Sequence, residues 1–190
     1  MSNSIAGSLT PAVGKRDHIQ GASSAIVTLV EYGDYQCPFC GDAYPVIKKL
    51  QTHFGDQLRF AFRNFPLVRI HAYAQRAAEA AEAAGAQGKF WEMHDYLFEH
   101  QDALDAENLM RAAGTLGLDK VKFDRDVAEH AFAARVQEDI QSGIDSGVGG
   151  TPTIFVNGVR NDDDDDFETL KAKVEEAMML SKPTKGKRRA

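Results

Sequence analysis

An α/β fold interrupted by a block of helices is the fold class this sequence predicts, on three observations. Residues 25–63 read as strand, helix, strand. Residues 66–147 carry helical periodicity and no strand signal. Strand character then returns at Thr153-Ile154-Phe155-Val156, followed by the hairpin dipeptide Asn157-Gly158 and a last amphipathic helix.

Each element has its own reason. Residues 1–20 are polar and poorly periodic, with Leu9-Thr10-Pro11-Ala12-Val13 read as a short edge strand. Residues 25–32 are β-branched and apolar, as a strand buried on both faces requires. Tyr44, Val46, Ile47, Leu50 and Phe54 then recur at helical spacing, so a helix runs from Cys37 to about Phe54, and Gly55-Asp56 turns the chain. Leu58, Phe60 and Phe62 alternate with Arg59, Ala61 and Arg63 in a second strand that Pro66 ends. A strand-helix-strand unit implies parallel strands and a right-handed crossover. In the helical block, residues 72–84 are alanine-rich and stop at Gly85, and residues 90–98 are amphipathic. Asp105 caps the next helix, with Leu104 and Leu109 as a hydrophobic staple and Gly114 as its C′ residue. Asp119 opens a short helix, and Phe132, Val136, Ile140 and Ile144 line a longer one that ends near Gly147. Val159-Arg160 starts the return strand of the hairpin, and Phe167, Leu170, Val174, Ala177 and Met178 mark the final helix. This divides the chain into an α/β domain, residues 1–65 and 148–182, a helical insertion, residues 66–147, and a disordered basic tail, residues 183–190.

Composition sets the class. With 190 residues, 43% of them hydrophobic and 26% charged, the chain can bury a core without a structural disulfide. A net charge of −6 argues against a nucleic-acid surface, and no apolar run approaches the ~20 residues of a membrane span. Residues 1–7 have neither a basic nor an apolar leader segment. The expectation is a cytoplasmic protein, or a periplasmic or secreted one if the N-terminus has been processed.

The chemistry lies in Cys37-Pro38-Phe39-Cys40, where the first strand passes into the first helix. A helix start presents unpaired N–H groups and the positive end of the macrodipole, which favour a thiolate, and Pro38 suits the first turn. Cysteine pKa values fall from about 8.5 to roughly 3.5–7.5 in such settings. The two-residue spacer lets Cys40 reach Cys37, so the pair is a redox couple. A structural zinc site needs four ligands, and the chain has two cysteines and no histidine pair at ligand spacing. His18, His53, His71, His94, His100 and His130 are scattered and read as surface or core residues. The Asp162–Asp166 run lacks a calcium-loop pattern and reads as a solvated loop.

The CPFC motif after a strand, with Gly150-Thr151-Pro152-Thr153 before a later one, resembles the DsbA-like branch of the thioredoxin superfamily. Glu31-Tyr32-Gly33-Asp34-Tyr35, Arg63-Asn64-Phe65-Pro66-Leu67 and Gln87-Gly88-Lys89-Phe90-Trp91 fit the same branch. The resemblance implies a thioredoxin-like mixed sheet with an inserted helical domain. It implies that Cys37 is the nucleophile and Cys40 the resolving cysteine. Pro152 matches the family's cis-proline, which holds the Thr151 backbone outward to pair with an extended substrate, and Pro38 and Phe39 complete that contact surface. Glu31 matches the buried acid that shuttles the Cys40 proton. Strongly oxidising relatives carry a histidine where Phe39 stands. Without that cation the disulfide is expected to be less oxidising.

The reading is a thiol–disulfide oxidoreductase without a cofactor, working on protein thiols and disulfides as reductase or isomerase, with glutathione or a reductase as its electron partner. The alternative is a redox-inert binding module on the same scaffold, or a thiolate metal carrier. A glutathione-dependent transferase is disfavoured, because those kin usually carry serine at the position of Cys37 and lack the second cysteine.

Overall fold

A computed structural model of the chain describes residues 7–181; the expected basic tail lies outside them. Five strands form one sheet: β1 His18–Gln20, β2 Val27–Gly33, β3 Leu58–Asn64, β4 Thr153–Val156 and β5 Val159–Arg160, in the order β1-β3-β2-β4-β5. The central pair β2 and β3 is parallel, and the other pairings are antiparallel. Seven helices surround it: α1 Pro38–Phe54, α2 Ala74–Gly85, α3 Phe90–Glu99, α4 Ala106–Thr115, α5 Lys120–Ala128, α6 Ala133–Asp145 and α7 Phe167–Leu180. This is the thioredoxin-like mixed sheet with its helices.

Strand alternation divides the core. Leu29, Phe60, Phe62, Ile154 and Val156 pack with Ile47 and Leu50 of α1, Leu170 and Val174 of α7, and the buried residues of α2–α5 in one continuous cluster. Val30, Tyr32, Ala61 and Phe155 point the other way, onto Phe65, Val148 and Ile140. Five of the seven buried alanines of α2 (Ala77, Ala80, Ala81, Ala83 and Ala84) belong to the first cluster and let neighbouring helices approach closely. The same period-two rule puts Glu31 on the Leu29 side, beneath α1.

Three expectations need correction. Residues 9–13 do not form the edge strand. Ser8 makes one bridge to Val159, Thr10–Pro11 is a cis bond, and Leu9 and Val13 pack as loop residues against the second cluster. Pro11 has no N–H to offer a ladder, and the segment before it lies beside β5, while the edge beside β3 is occupied by β1. Neither Gly85 nor Gly114 ends its helix in the left-handed conformation; Gly88 (φ 76°) and Gly117 (φ 68°) do so three residues later. Gly85 lies in a tight spot, where a Cβ would fall 3.2 Å from His18 and 3.4 Å from Phe90. Ile144 is exposed, not on the packed face of α6. Asp105 and Asp119 cap their helices through Glu107 and Asn108 and through Lys122, respectively.

Beneath the Tyr32 face runs a chain of buried ion pairs. The Arg63 guanidinium donates to Asp17 Oδ1 at 2.7 Å, to the Tyr32 hydroxyl at 2.8 Å and to the Pro11 carbonyl at 3.0 Å. Arg63 and Asp17 side chains have no exposed surface. Removing one partner of such a pair strands the other, so Asp17→Ala should cost about 3–5 kcal/mol in urea unfolding, with Asp17→Asn recovering part of it.

Candidate active site

Cys37 is the N-cap of α1 (φ −73°, ψ 122°) and Pro38 its first residue. The Cys37 N–H donates to the Asp34 carbonyl at 3.1 Å, and the Gly41 N–H to the Cys37 carbonyl at 3.1 Å. Both cysteines are free thiols. Antiparallel pairing of β2 with β4, Tyr32 opposite Thr153, brings residues 151 and 152 to the same end of the sheet. The Cys37 thiol donates to the Thr151 carbonyl at 3.4 Å, and the Thr151–Pro152 peptide is cis.

The two sulfurs differ sharply in their surroundings. Cys37 is lowered to about 5, first by hydrogen bonding from the Cys40 thiol, then by the Thr151 hydroxyl and the backbone N–H groups of Cys40 and Phe39. The Thr151 hydroxyl is buried beside it and makes no hydrogen bond of ordinary geometry. Cys40 is pushed far up by burial, by its bond to Cys37 and by the Glu31 charge, although the Asp34 N–H donates to its sulfur at 3.4 Å. Only 2% of Cys37 is exposed. Cys37 lies just under the surface and Cys40 is fully buried behind it.

Glu31 is 1% exposed, and its Oε1 has no hydrogen-bond partner. Its carboxyl faces the Cys40 thiol and is raised to about 8, chiefly by burial, then by the charges of Asp165 and Cys37. Every other buried carboxylate has a cation, a histidine or backbone donors beside it. Glu82 meets His18, Glu79 meets His130, Asp126 meets Lys122 and Asp139 meets Arg135. An unpaired acid under a reactive sulfur is equipped to hold and move a proton. Gly33 makes the space, because a Cβ there would fall 2.4 Å from the Phe62 ring and 2.9 Å from Glu31 Oε1.

Beside the dithiol, Phe39 (68% exposed), Ala43, Val46, Thr151 and Pro152 line an open groove of about 500 Å³ that Asp42, Asp165 and Asp166 border. The described residues hold no group of three or more histidines, cysteines or acids arranged for a metal ion.

A family model described as Thioredoxin matches residues 14–176, most of the chain. Oxidised BdbD from Bacillus subtilis is similar at 25% identity and TM-score 0.81, over 94% of this chain and 100% of that one. The chain is a DsbA-like member of the thioredoxin superfamily. A thioredoxin-like oxidoreductase from Silicibacter pomeroyi matches at 25% identity and TM-score 0.78, over 87% of this chain and 94% of that one. A protein of Salinispora arenicola named Na(+)/H(+) antiporter NhaA 1 is 45% identical over 93% of this chain, and one of Mycobacterium sp. strain KMS with the same name is 48% identical over 80%. The chain spans about a quarter of the length of these curated relatives (27% and 25%). Among the described residues no helix is long and apolar enough to cross a membrane.

In this DsbA-like frame the structure brings Cys37, Cys40, Glu31, Pro38, Phe39, Thr151 and Pro152 to one end of the sheet, and it adds residues that sequence reasoning missed. Asp34 accepts from the N–H groups of Gln36 and Leu67 at 2.8 Å and meets His71 Nδ1 at 2.7 Å, tying the active-site turn to the loop after β3. Gln101 donates through Nε2 to the carbonyls of Tyr35 and Cys37, both at 2.9 Å, clamping the helix start from the helical block. The Tyr35 hydroxyl and His94 Nδ1 are hydrogen-bonded at 3.1 Å, and burial holds the tyrosine protonated and the histidine neutral. Asp34 sat inside a quoted motif but had no assigned role, and no local pattern marks Gln101.

Burial of Glu31 gives a pH signature. Below 4.5 the folded and unfolded chains both hold its proton; between 4.5 and about 8 only the folded chain does, so this group costs stability that grows as pH rises through that window. Glu31→Gln should therefore raise stability near pH 7 by about 3 kcal/mol, with no gain near pH 4, while slowing resolution of a mixed disulfide. Parallel denaturation and single-turnover assays at the two pH values check both halves.

Proposed function

We propose that the chain is a thiol–disulfide oxidoreductase acting on protein substrates, with its resting reduced form working as an isomerase and reductase. The observation that carries this is the asymmetric pair: a shallow Cys37 lowered to about 5 and a deep Cys40 raised by burial above an unpaired Glu31. At neutral pH the Cys37 thiolate attacks one sulfur of a substrate disulfide and expels the other as a thiolate. The minor fraction of Glu31 that is ionised at neutral pH takes the Cys40 proton; the Cys40 thiolate then attacks Cys37, the second substrate thiolate leaves and is protonated from Glu31, and the Cys37–Cys40 disulfide remains. In reverse, Glu31 returns the proton to Cys40 as a substrate thiolate opens that disulfide. Ionisation of Cys37 also removes the proton that the Thr151 carbonyl accepts, which frees this carbonyl for an extended substrate segment beside Pro152.

Phe39 brings no cation, but neutral donors lower Cys37 in its place. Stabilising the thiolate favours the dithiol over the disulfide and so moves the pair towards the oxidising side; the reduced form persists and attacks substrate disulfides as an isomerase, and net reduction needs a partner that keeps returning electrons. That suits a reducing compartment such as the cytoplasm, with glutathione or a reductase partner returning the electrons.

Two experiments test the reading. Iodoacetamide should alkylate Cys37 before Cys40, with half-maximal rate near the thiolate midpoint of about 5. Cys40→Ser should accumulate mixed disulfides while Cys37→Ser traps little and fails to accelerate insulin reduction by dithiothreitol. A redox-inert binder would leave insulin reduction unaccelerated in the unaltered protein too, and preferential modification of Cys40 would reverse the assigned roles. Separately, Phe39→His should lower Cys37 further and make the disulfide more oxidising, read as its equilibrium with glutathione.

A further inference from the structure

Resting on that redox reading, we infer that the groove beside Cys37 is built for substrate segments that place a lysine or arginine next to the reacting cysteine, with Asp42, Asp165 and Asp166 as the residues that select them. The floor of the groove is apolar, with Phe39, Val46 and Pro152 in it, and its three charged lining residues are all carboxylates. Among the described residues no lysine, arginine or histidine lines it.

The Asp162–Asp166 run is divided by its contacts. Asp162 pairs with Arg160 at 2.6 Å and Asp163 with Lys173 at 2.8 Å, so these two are neutralised locally. The Asn161 amide donates to the carbonyl of Asp163 at 3.0 Å and to Asp165 Oδ1 at 3.0 Å, folding the run back so that Asp165 and Asp166 border the groove. Asp165 and exposed Asp42 have no ion pair among the described residues. Asp166 caps α7 through the N–H groups of Glu168 and Thr169, and keeps its charge at the groove rim. Partial burial and Asp164 push Asp165 up from the ordinary carboxylate range, and a cation seated there would relieve this. Asp165 also raises Glu31, which places the rim within electrostatic reach of the proton carrier.

An apolar segment with a basic residue fits on both counts, whereas an acidic one meets three like charges. Carboxylates lining a cleft beside a reactive group raise the local concentration of cationic partners and repel anionic ones.

The test uses the full chain carrying Cys40→Ser and three homodimeric disulfide peptides that differ only in the residues flanking cysteine: lysine, glutamine or glutamate. Cys37 thiolate attacks one peptide sulfur, a protein–peptide disulfide forms, and one peptide thiolate leaves. Rates are normalised to the reaction of each peptide with mercaptoethanol, which removes intrinsic reactivity. At low salt the lysine peptide should react about tenfold faster than the glutamate peptide, the advantage shrinking at ~1 M salt. Asp42→Asn with Asp165→Asn should reduce the ratio at least threefold, and Asp42→Lys should reduce it further. Both asparagine changes preserve shape and acceptor oxygens, and the ratio is read within one folded protein. Equal rates for the three peptides, or a ratio unmoved by the substitutions, would overturn the inference. Reaction with the small neutral disulfide hydroxyethyl disulfide reports the redox reading separately: exchange there with no charge preference sinks only the groove assignment, and no exchange at all sinks the redox reading and this inference with it.

Discussion

The antiparallel pairing of β2 with β4 is the constraint on which the rest depends. Leu29 opposite Val156 and Tyr32 opposite Thr153 hold together two segments more than a hundred residues apart in the chain. A one-residue slip would turn every side chain of β4 to the other face. Thr151 and Pro152 would then leave Cys37, and Ile154 would leave the cluster packed on α1. The reactive end of the molecule is thus a by-product of sheet register, and the hydrophobic alternation of both strands enforces that register.

Burial then sorts the charges. On the Tyr32 side, Arg63 sits with Asp17, and Asp139 with Arg135, each ion meeting a compensating one. On the side beneath α1, Glu31 has no cation and keeps its proton up to about pH 8. Fold-supporting acids are paired and the acid under the sulfur is not. A paired network on one face and an unpaired acid on the other therefore share a single sheet.

Much of this was legible in the residues. Val27–Gly33 and Leu58–Asn64 announced themselves by β-branched and alternating runs, Asp105 and Asp119 by their place before apolar periodicity, and Asn157-Gly158 by the turn it must make. The motif and its distant Thr-Pro marked one end of the sheet. What failed was whatever depends on a partner far away in sequence. Leu9–Val13 had strand-like content, but Pro11 and the competing β1 decided the edge. Gln101 acquires its role only because α3 ends against the start of α1. Local acidity gave no sign that Arg160, Lys173 and Asn161 would divide the aspartate run.

The hairpin turn Asn157-Gly158 lies at the far end of β4 from Pro152. Leu9 donates to the Gly158 carbonyl, Ser8 bridges Val159, and Leu180 and Ser181 share a surface hollow with Val156 and Val159. The first and last described residues therefore gather at one pole of the sheet and the sulfurs at the other. A module arranged this way can be spliced into a larger polypeptide, or tethered by either terminus, with its reactive pole still pointing away from the attachment.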